Sequence, residues 1–181
     1  IPGVTLDPVQ VSNDFYTTDY DVVISGIDNP VNLGEAAKLK AEGKAVSGVA
    51  YDYVAACTAA PDVCLGVPYF NWGPEYVKAI SSAQDGSWQS TFLWVGPDWA
   101  NINNLDTSAV GFEKGPALAA DDAAVLDEFI AELAGGLNLW TGPVNLQDGT
   151  AYLADGEVAS DQQVWYLPQL LEGMEGLSAS E

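Results

Sequence analysis

The 181-residue sequence contains no histidine, two cysteines and only five lysine or arginine residues. Without histidine, the chain has neither a histidine general base nor a histidine metal ligand. The few basic residues stand against 26 aspartates and glutamates, which gives a net charge of −21. Such a surface repels nucleic acid and anionic membranes. We therefore expect no nucleic-acid partner. No metal and no cofactor is predicted either.

The two cysteines lie close together in the segment CTAAPDVC, which runs from Cys57 to Cys64. Their spacing does not match the short spacings of zinc ligands, and the sequence has no further cysteine to complete a set of four. Two uses of the pair remain open at this point. They form a local disulfide if the chain is exported, or they are two buried free thiols.

What the sequence does contain is a series of apolar runs that alternate with helical patterns. Hydrophobic residues make up 48% of the chain, enough for one globular domain with a real core. Strands are predicted over 21–28, 44–50, 63–69 and 88–95, and helices over 33–42 and 74–84. Tyr76, Val77 and Ile80 are expected to face inward. The alternation predicts an α/β fold with a mostly parallel sheet flanked by helices.

The remainder of the chain has a different pattern. Residues 96–120 are rich in loop-forming residues and are predicted to lack regular structure. A helix is predicted over 121–133, where apolar residues form one stripe. Asp148-Gly149 is a turn signal that predicts a hairpin within 139–153, and a last helix is predicted over 161–174.

The stretch from Leu65 to Pro74, LGVPYFNWGP, is a strand that ends on aromatic and polar residues and turns at once into a helix. Aspartates follow the two preceding strands in the same way. The carboxyl ends of parallel strands meet at one edge of a sheet, where ligands of open α/β sheets bind. There a carboxylate accepts hydrogen bonds and an aromatic ring stacks on a flat ligand. The candidate ligand-binding residues are Asp28, Asp52, Tyr53, Phe70, Asn71 and Trp72.

Structural roles for the same residues remain open. Asp28 is a candidate cap for the following helix through the Asn29-Pro30 turn. Trp72 and its neighbours are equally compatible with an aromatic core patch. Catalysis is not predicted, because 26 acids make chance pairing of carboxylates inevitable and a serine nucleophile has no histidine base. We therefore expect a binding protein and not an enzyme.

Five segments, the third of which includes the stretch from Leu65 to Pro74, carry a resemblance to a known family. In order, they are DVVISGID, GVAYDYVAAC, CLGVPYFNWGPEYVKAI, NLWTGPVNLQDGTAYLADGEVASD and QQVWYLPQLLEGMEG. Together they resemble the Bmp (basic membrane protein) family, whose members are substrate-binding lipoproteins of ABC importers with the type I periplasmic-binding fold. The resemblance extends over nearly the whole chain. It implies a two-lobed receptor that closes about a hinge on a small ligand, usually a purine nucleoside or nucleobase.

The resemblance covers the carboxyl-terminal half of that family only. It implies that residues 1–181 are the carboxyl-terminal portion of a two-lobed protein, and that residues 70–87 pack with the missing amino-terminal lobe. The implied partners are a small-molecule ligand, the missing half or a second chain, and an ABC permease. The implied location is exported, periplasmic or at the cell surface, with a membrane anchor in the absent amino-terminal part. An exported protein favours a disulfide between Cys57 and Cys64.

The chain departs from the family pattern at one point of the site. Nucleoside-binding members often carry a lysine after the third strand, where this sequence has Asn71-Trp72. The difference favours a flat heterocycle stacked on Trp72 over a ribose-bearing ligand. The alternative function is that of a structural or surface-assembly protein with a vestigial binding site.

Overall fold

The computed structural model describes residues 6–178, and the chain divides into two compact units between Asp127 and Glu128. The helices are α1 (Pro8–Thr17), α2 (Val31–Ala41), α3 (Gly73–Asp85), α4 (Ala120–Ala134) and α5 (Asp161–Trp165). The strands are β1 (Val22–Ile24), β2 (Ser47–Val49), β3 (Cys64–Phe70), β4 (Val110–Lys114), β5 (Val144–Asn145) and β6 (Ala151–Leu153). None of the helices in this part of the chain has both the length and the apolar character needed to cross a membrane.

The first unit is built on a four-stranded sheet with the order β1-β2-β3-β4. The first three strands are parallel, and β4 runs antiparallel to β3. Buried parallel strands read as continuous apolar runs, and β3 fits that pattern, whereas Val22 and Ile24 of β1 are exposed. The prediction of an α/β fold with a mostly parallel sheet flanked by helices is confirmed, and the arrangement is compatible with one lobe of a periplasmic binding protein.

The core of the first unit lies where α1 and α2 pack on the sheet. Leu33 and Ala36 of α2 are fully buried, as is Val67 of β3. Gly48 in β2 makes the close approach possible, since a Cβ there would lie 2.9 Å from both the Leu33 side chain and the Tyr16 hydroxyl. Only glycine fits between the helices and this strand without displacing them.

A disulfide joins Cys57 to Cys64, the first residue of β3. Two short 3₁₀ helices, Ala56–Ala59 and Pro61–Val63, bring the cysteines within a Cα–Cα distance of 5.4 Å. Both cysteines lie in the buried core, so the bond fixes the entry of β3 into the sheet.

Two expectations for the first unit are wrong. Residues 88–95 do not form a strand, and β3 pairs instead with Val110–Lys114, inside the segment expected to lack regular structure. A run of β-forming residues becomes a strand only where a neighbouring strand supplies hydrogen bonds. Tyr76, Val77 and Ile80 also do not face inward, because α3 buries no side chain among the described residues.

The second unit contains the predicted hairpin in a shorter form. Strands β5 and β6 are antiparallel, and Gly149 adopts a left-handed conformation with φ of 84° in the turn between them. The last helix begins at a Ser160 capping box, as its sequence signals indicate, but ends at Trp165. The expected continuation to 174 is wrong, because Pro168 lacks the N–H that a helix interior needs.

Candidate ligand-binding site

The carboxyl ends of β2 and β3 border a pocket of about 250 Å³ in the first unit. Its lining residues are Asp52, Tyr53, Val54, Tyr69, Phe70, Asn71, Trp72 and Leu105. Five of the six candidate residues from the sequence are therefore brought together, since Asp28 alone is missing from this set. The lining contains one acidic side chain and no basic one.

Asp52 reaches the pocket because the chain bends sharply after β2. Its backbone has φ of 66°, the left-handed region that aspartate tolerates better than most residues. The Asp52 N–H donates to the Pro68 carbonyl at 2.9 Å, which ties the bend to β3. Within residues 6–178 the carboxylate takes part in no hydrogen bond or ion pair, so its oxygens are available to accept from a ligand.

Aromatic rings form one wall of the pocket. Phe70 contacts Tyr51 edge-to-face, with ring centroids 5.8 Å apart, and contacts Trp72 at the same distance. Trp72 in turn stacks on Tyr76 of α3, at 6.1 Å and an interplanar angle of 21°. The indole nevertheless remains 57% exposed. It is thus held by its neighbours while presenting enough surface to stack on a flat ligand.

Asn71 holds the turn between β3 and α3 against a distant loop. Its backbone N–H donates to the Ala109 carbonyl at 2.8 Å. Its side-chain Nδ2 donates to the carbonyls of Leu105 and Ser108, at 2.7 and 2.8 Å. Both amide hydrogens are therefore used, and Oδ1 is the atom left to meet a ligand, as an acceptor.

Tyr69 is a buried residue in the lining of the pocket. Its buried hydroxyl donates to Asn103 Oδ1 at 3.0 Å. Burial, and then the nearby Glu113 carboxylate, raise the pKa of the Tyr69 phenol. The group therefore stays neutral and protonated near pH 7 and forms part of the pocket wall.

Asp28 lies apart from this pocket. Strand β1 ends at Ile24, four residues earlier, and Asp28 lies exposed in the bend formed by Ile27 and Asp28. The alternative role as helix cap does not apply either, because the Val31 N–H is accepted by Asn29 Oδ1 at 3.0 Å. The structure thus gives Asp28 neither a place in the pocket nor a capping bond.

Three lining residues were not foreseen from the sequence. Val54 and Tyr69 are neighbours of candidate residues and could have been included by proximity alone. Leu105 is 33 residues from Trp72 and carries no sequence signal, because it enters the wall through the Asn71 hydrogen bonds. No cluster of three histidine, cysteine or acidic side chains suited to a metal occurs between residues 6 and 178.

The comparisons with known proteins add one informative relative. No protein-family model matches the chain. A purine-binding protein of Brucella abortus (strain 2308) is 32% identical over 104 residues, which is 57% of this chain and 27% of the relative. The match therefore spans about a quarter of the relative's own length. Within that limit, the chain is similar to a protein described as purine-binding.

Proposed function

We propose that this chain forms part of a solute-binding protein of the Bmp type that captures a purine nucleobase or a closely related flat heterocycle. The observation that carries the proposal is the pocket at the ends of β2 and β3, lined by the exposed Trp72 ring and by the Asp52 carboxylate, which is unpaired within residues 6–178. The similarity to a purine-binding protein supports the same ligand class.

The chemistry of the lining favours a purine over other small molecules. A purine has two flat faces for stacking on Trp72 and several N–H groups at its edge. Asp52 and the Asn71 Oδ1 are acceptors, so they complement those N–H donors. Pockets for drug-sized ligands measure about 300–1,000 Å³. At about 250 Å³, this pocket is better matched to a single base than to a larger ligand.

We propose further that residues 70–87 pack against a second lobe that closes the pocket. Helix α3 lies within this segment and buries none of its side chains among the described residues. Its apolar residues Tyr76, Val77 and Ile80 are each about 60% exposed. A contiguous exposed apolar face next to a ligand pocket marks an interaction surface.

Delivery of the ligand to an ABC permease, and an exported location, belong to the same proposal. The disulfide between Cys57 and Cys64 supports export, because such bonds persist in oxidising compartments. The binding role requires no covalent step, and the pocket lining combines one carboxylate with no histidine. The proposal therefore assigns capture and release to this site, and no turnover.

Calorimetric titration of the native-length protein with adenine, guanine and hypoxanthine tests the proposal. At least one base is expected to bind, and Asp52→Asn is expected to weaken it about tenfold to a hundredfold, the cost of a lost hydrogen bond to a charged acceptor. Asp28→Asn is the matched control and should leave affinity unchanged. Equal affinities for Asp52→Asn and wild type would place the site elsewhere. Binding of a different flat solute would change the ligand class only.

A further inference from the structure

A second cavity, of about 290 Å³, lies between α1, β1 and the first turn of α2. It shares no lining residue with the pocket at the ends of β2 and β3. Its lining residues are Leu6, Pro8, Val11, Ser12, Phe15, Val23, Ile24, Ser25, Gly26, Ile27, Val31 and Asn32. No charged side chain is among them.

Two polar side chains in this lining are almost completely buried. Asn32 is 2% exposed and Ser12 is 8% exposed. Asn32 Nδ2 donates to the carbonyls of Val23 and Val49, at 3.1 and 2.9 Å, which fixes the orientation of the amide. Its Oδ1 then has no hydrogen-bond partner within residues 6–178. The Ser12 hydroxyl makes no hydrogen bond in that part of the chain either, whereas Ser25 is bonded to the Ile27 carbonyl.

Unpartnered buried polar atoms are costly, and native proteins usually satisfy them with protein, water or ligand. Here the buried Asn32 Oδ1 of α2 is such an atom, and the Ser12 hydroxyl of α1 lines the same cavity, whose remaining surface is mostly apolar. We infer that this cavity is a second ligand site, specific for a small uncharged molecule with an apolar body and a single hydroxyl head.

The apolar body and the neutral, hydrogen-donating head follow from the lining. A charged head is disfavoured because no lining side chain carries an opposite charge to offset its desolvation. The head must donate a hydrogen, because the Asn32 Oδ1 is an acceptor only. The Ser12 hydroxyl can both donate and accept, so it completes the partners of a ligand hydroxyl. The apolar body replaces water against residues such as Phe15 and Ile24.

The test uses three probes of equal chain length on the 181-residue protein: 1-hexanol, methyl pentyl ether and hexanoate. Titration is followed by amide chemical shifts. Hexanol should bind saturably, with shift changes at residues 11–12, 23–27 and 31–32. The ether lacks the donor and should bind about threefold to tenfold more weakly, the usual effect of one hydrogen bond. Hexanoate should not compete with hexanol.

Two variants distinguish a hydrogen bond between Ser12 and the ligand hydroxyl from nonspecific binding of the apolar body. Ser12→Ala should weaken hexanol about twofold to tenfold and reduce the preference for hexanol over the ether. Gln10→Ala on the exposed face of the same helix is the control and should change neither. Equal binding of alcohol and ether by the wild type overturns the inference. Shift changes confined to the Asp52–Trp72 pocket overturn it as well, and neither result depends on whether Ser12→Ala folds.

Discussion

Helices α2 and α3 each follow a parallel strand of the same sheet, yet they differ completely in burial. Five residues of α2 are buried, namely Asn32, Leu33, Glu35, Ala36 and Leu39, whereas α3 buries none among the described residues. Helix α3 carries its apolar residues on one face, whereas the apolar residues of α2 are spread more widely around the helix. The difference teaches that an apolar helix face becomes core only where a second layer covers it, and that the uncovered helix is the one beside the candidate pocket.

The comparison extends to the polar groups near the two helices. On the α2 side, the Tyr16 hydroxyl and the Asn32 Nδ2 group donate to strand carbonyls and stabilise the fold. On the α3 side, the Asp52 carboxylate has no partner in the described chain, and the Trp72 ring is more than half exposed. Groups left without a structural role at a strand end are the ones free to meet a ligand.

The largest expected effect on stability is for a substitution in α2, the helix that is buried against the sheet. Leu33→Ala should lower the free energy of unfolding by about 2–5 kcal/mol, because Leu33 is fully buried against the sheet and its removal leaves a cavity. Urea denaturation followed by circular dichroism measures the change. A loss below about 1 kcal/mol would mean that α2 is no more part of the core than α3.

The fall in the free energy of unfolding at high pH tests the burial of Tyr16 in the same core. Burial raises the pKa of Tyr16 from 10.0 to about 12. Above pH 10 the unfolded state then binds fewer protons than the folded state, so stability falls as pH rises, by roughly 2–3 kcal/mol once both states are ionised. Tyr16→Phe should lose the hydrogen bond to Ser47 but should show a shallower fall between pH 10 and 12. Parallel pH curves for the two proteins would contradict the burial of Tyr16.

The smallest effect on stability is expected for a substitution in the exposed helix α3. Ile80→Ala should change the stability of the 181-residue chain by no more than about 0.5 kcal/mol, because the side chain is mostly exposed. In a native-length two-lobed protein the same substitution should cost about 2–5 kcal/mol if a second lobe buries this face. Equal, small effects in both proteins would remove the support for packing of residues 70–87 against another lobe.

The elements that the sequence predicted well are those whose signals are local. The apolar run at 63–69 corresponds to β3 at Cys64–Phe70, and the helix at 74–84 corresponds to α3. The aspartate and aromatic residues at those strand ends consequently lie together. Gly149 in the hairpin turn was predictable for the same reason, since a left-handed turn position selects glycine within a few residues.

The parts that could not be predicted depend on contacts distant in sequence. Strand β4 is defined by its pairing with β3 and not by its own composition. Leu105 reaches the pocket only because Asn71 binds its carbonyl across 34 residues. Asp28 misses the pocket because the run 21–28 stops being a strand at Ile24, and a continuous apolar run does not reveal where its pairing ends.

The central claim is that the pocket beside α3 holds a flat heterocycle against Trp72. The most direct test measures purine affinity by calorimetry for Trp72→Ala and Trp88→Ala, since both indoles are 57% exposed but only Trp72 lines the pocket. Trp72→Ala should weaken binding about fivefold to 150-fold, the range for losing one stacking platform, while Trp88→Ala leaves it unchanged. Equal affinities for the two variants would contradict the account.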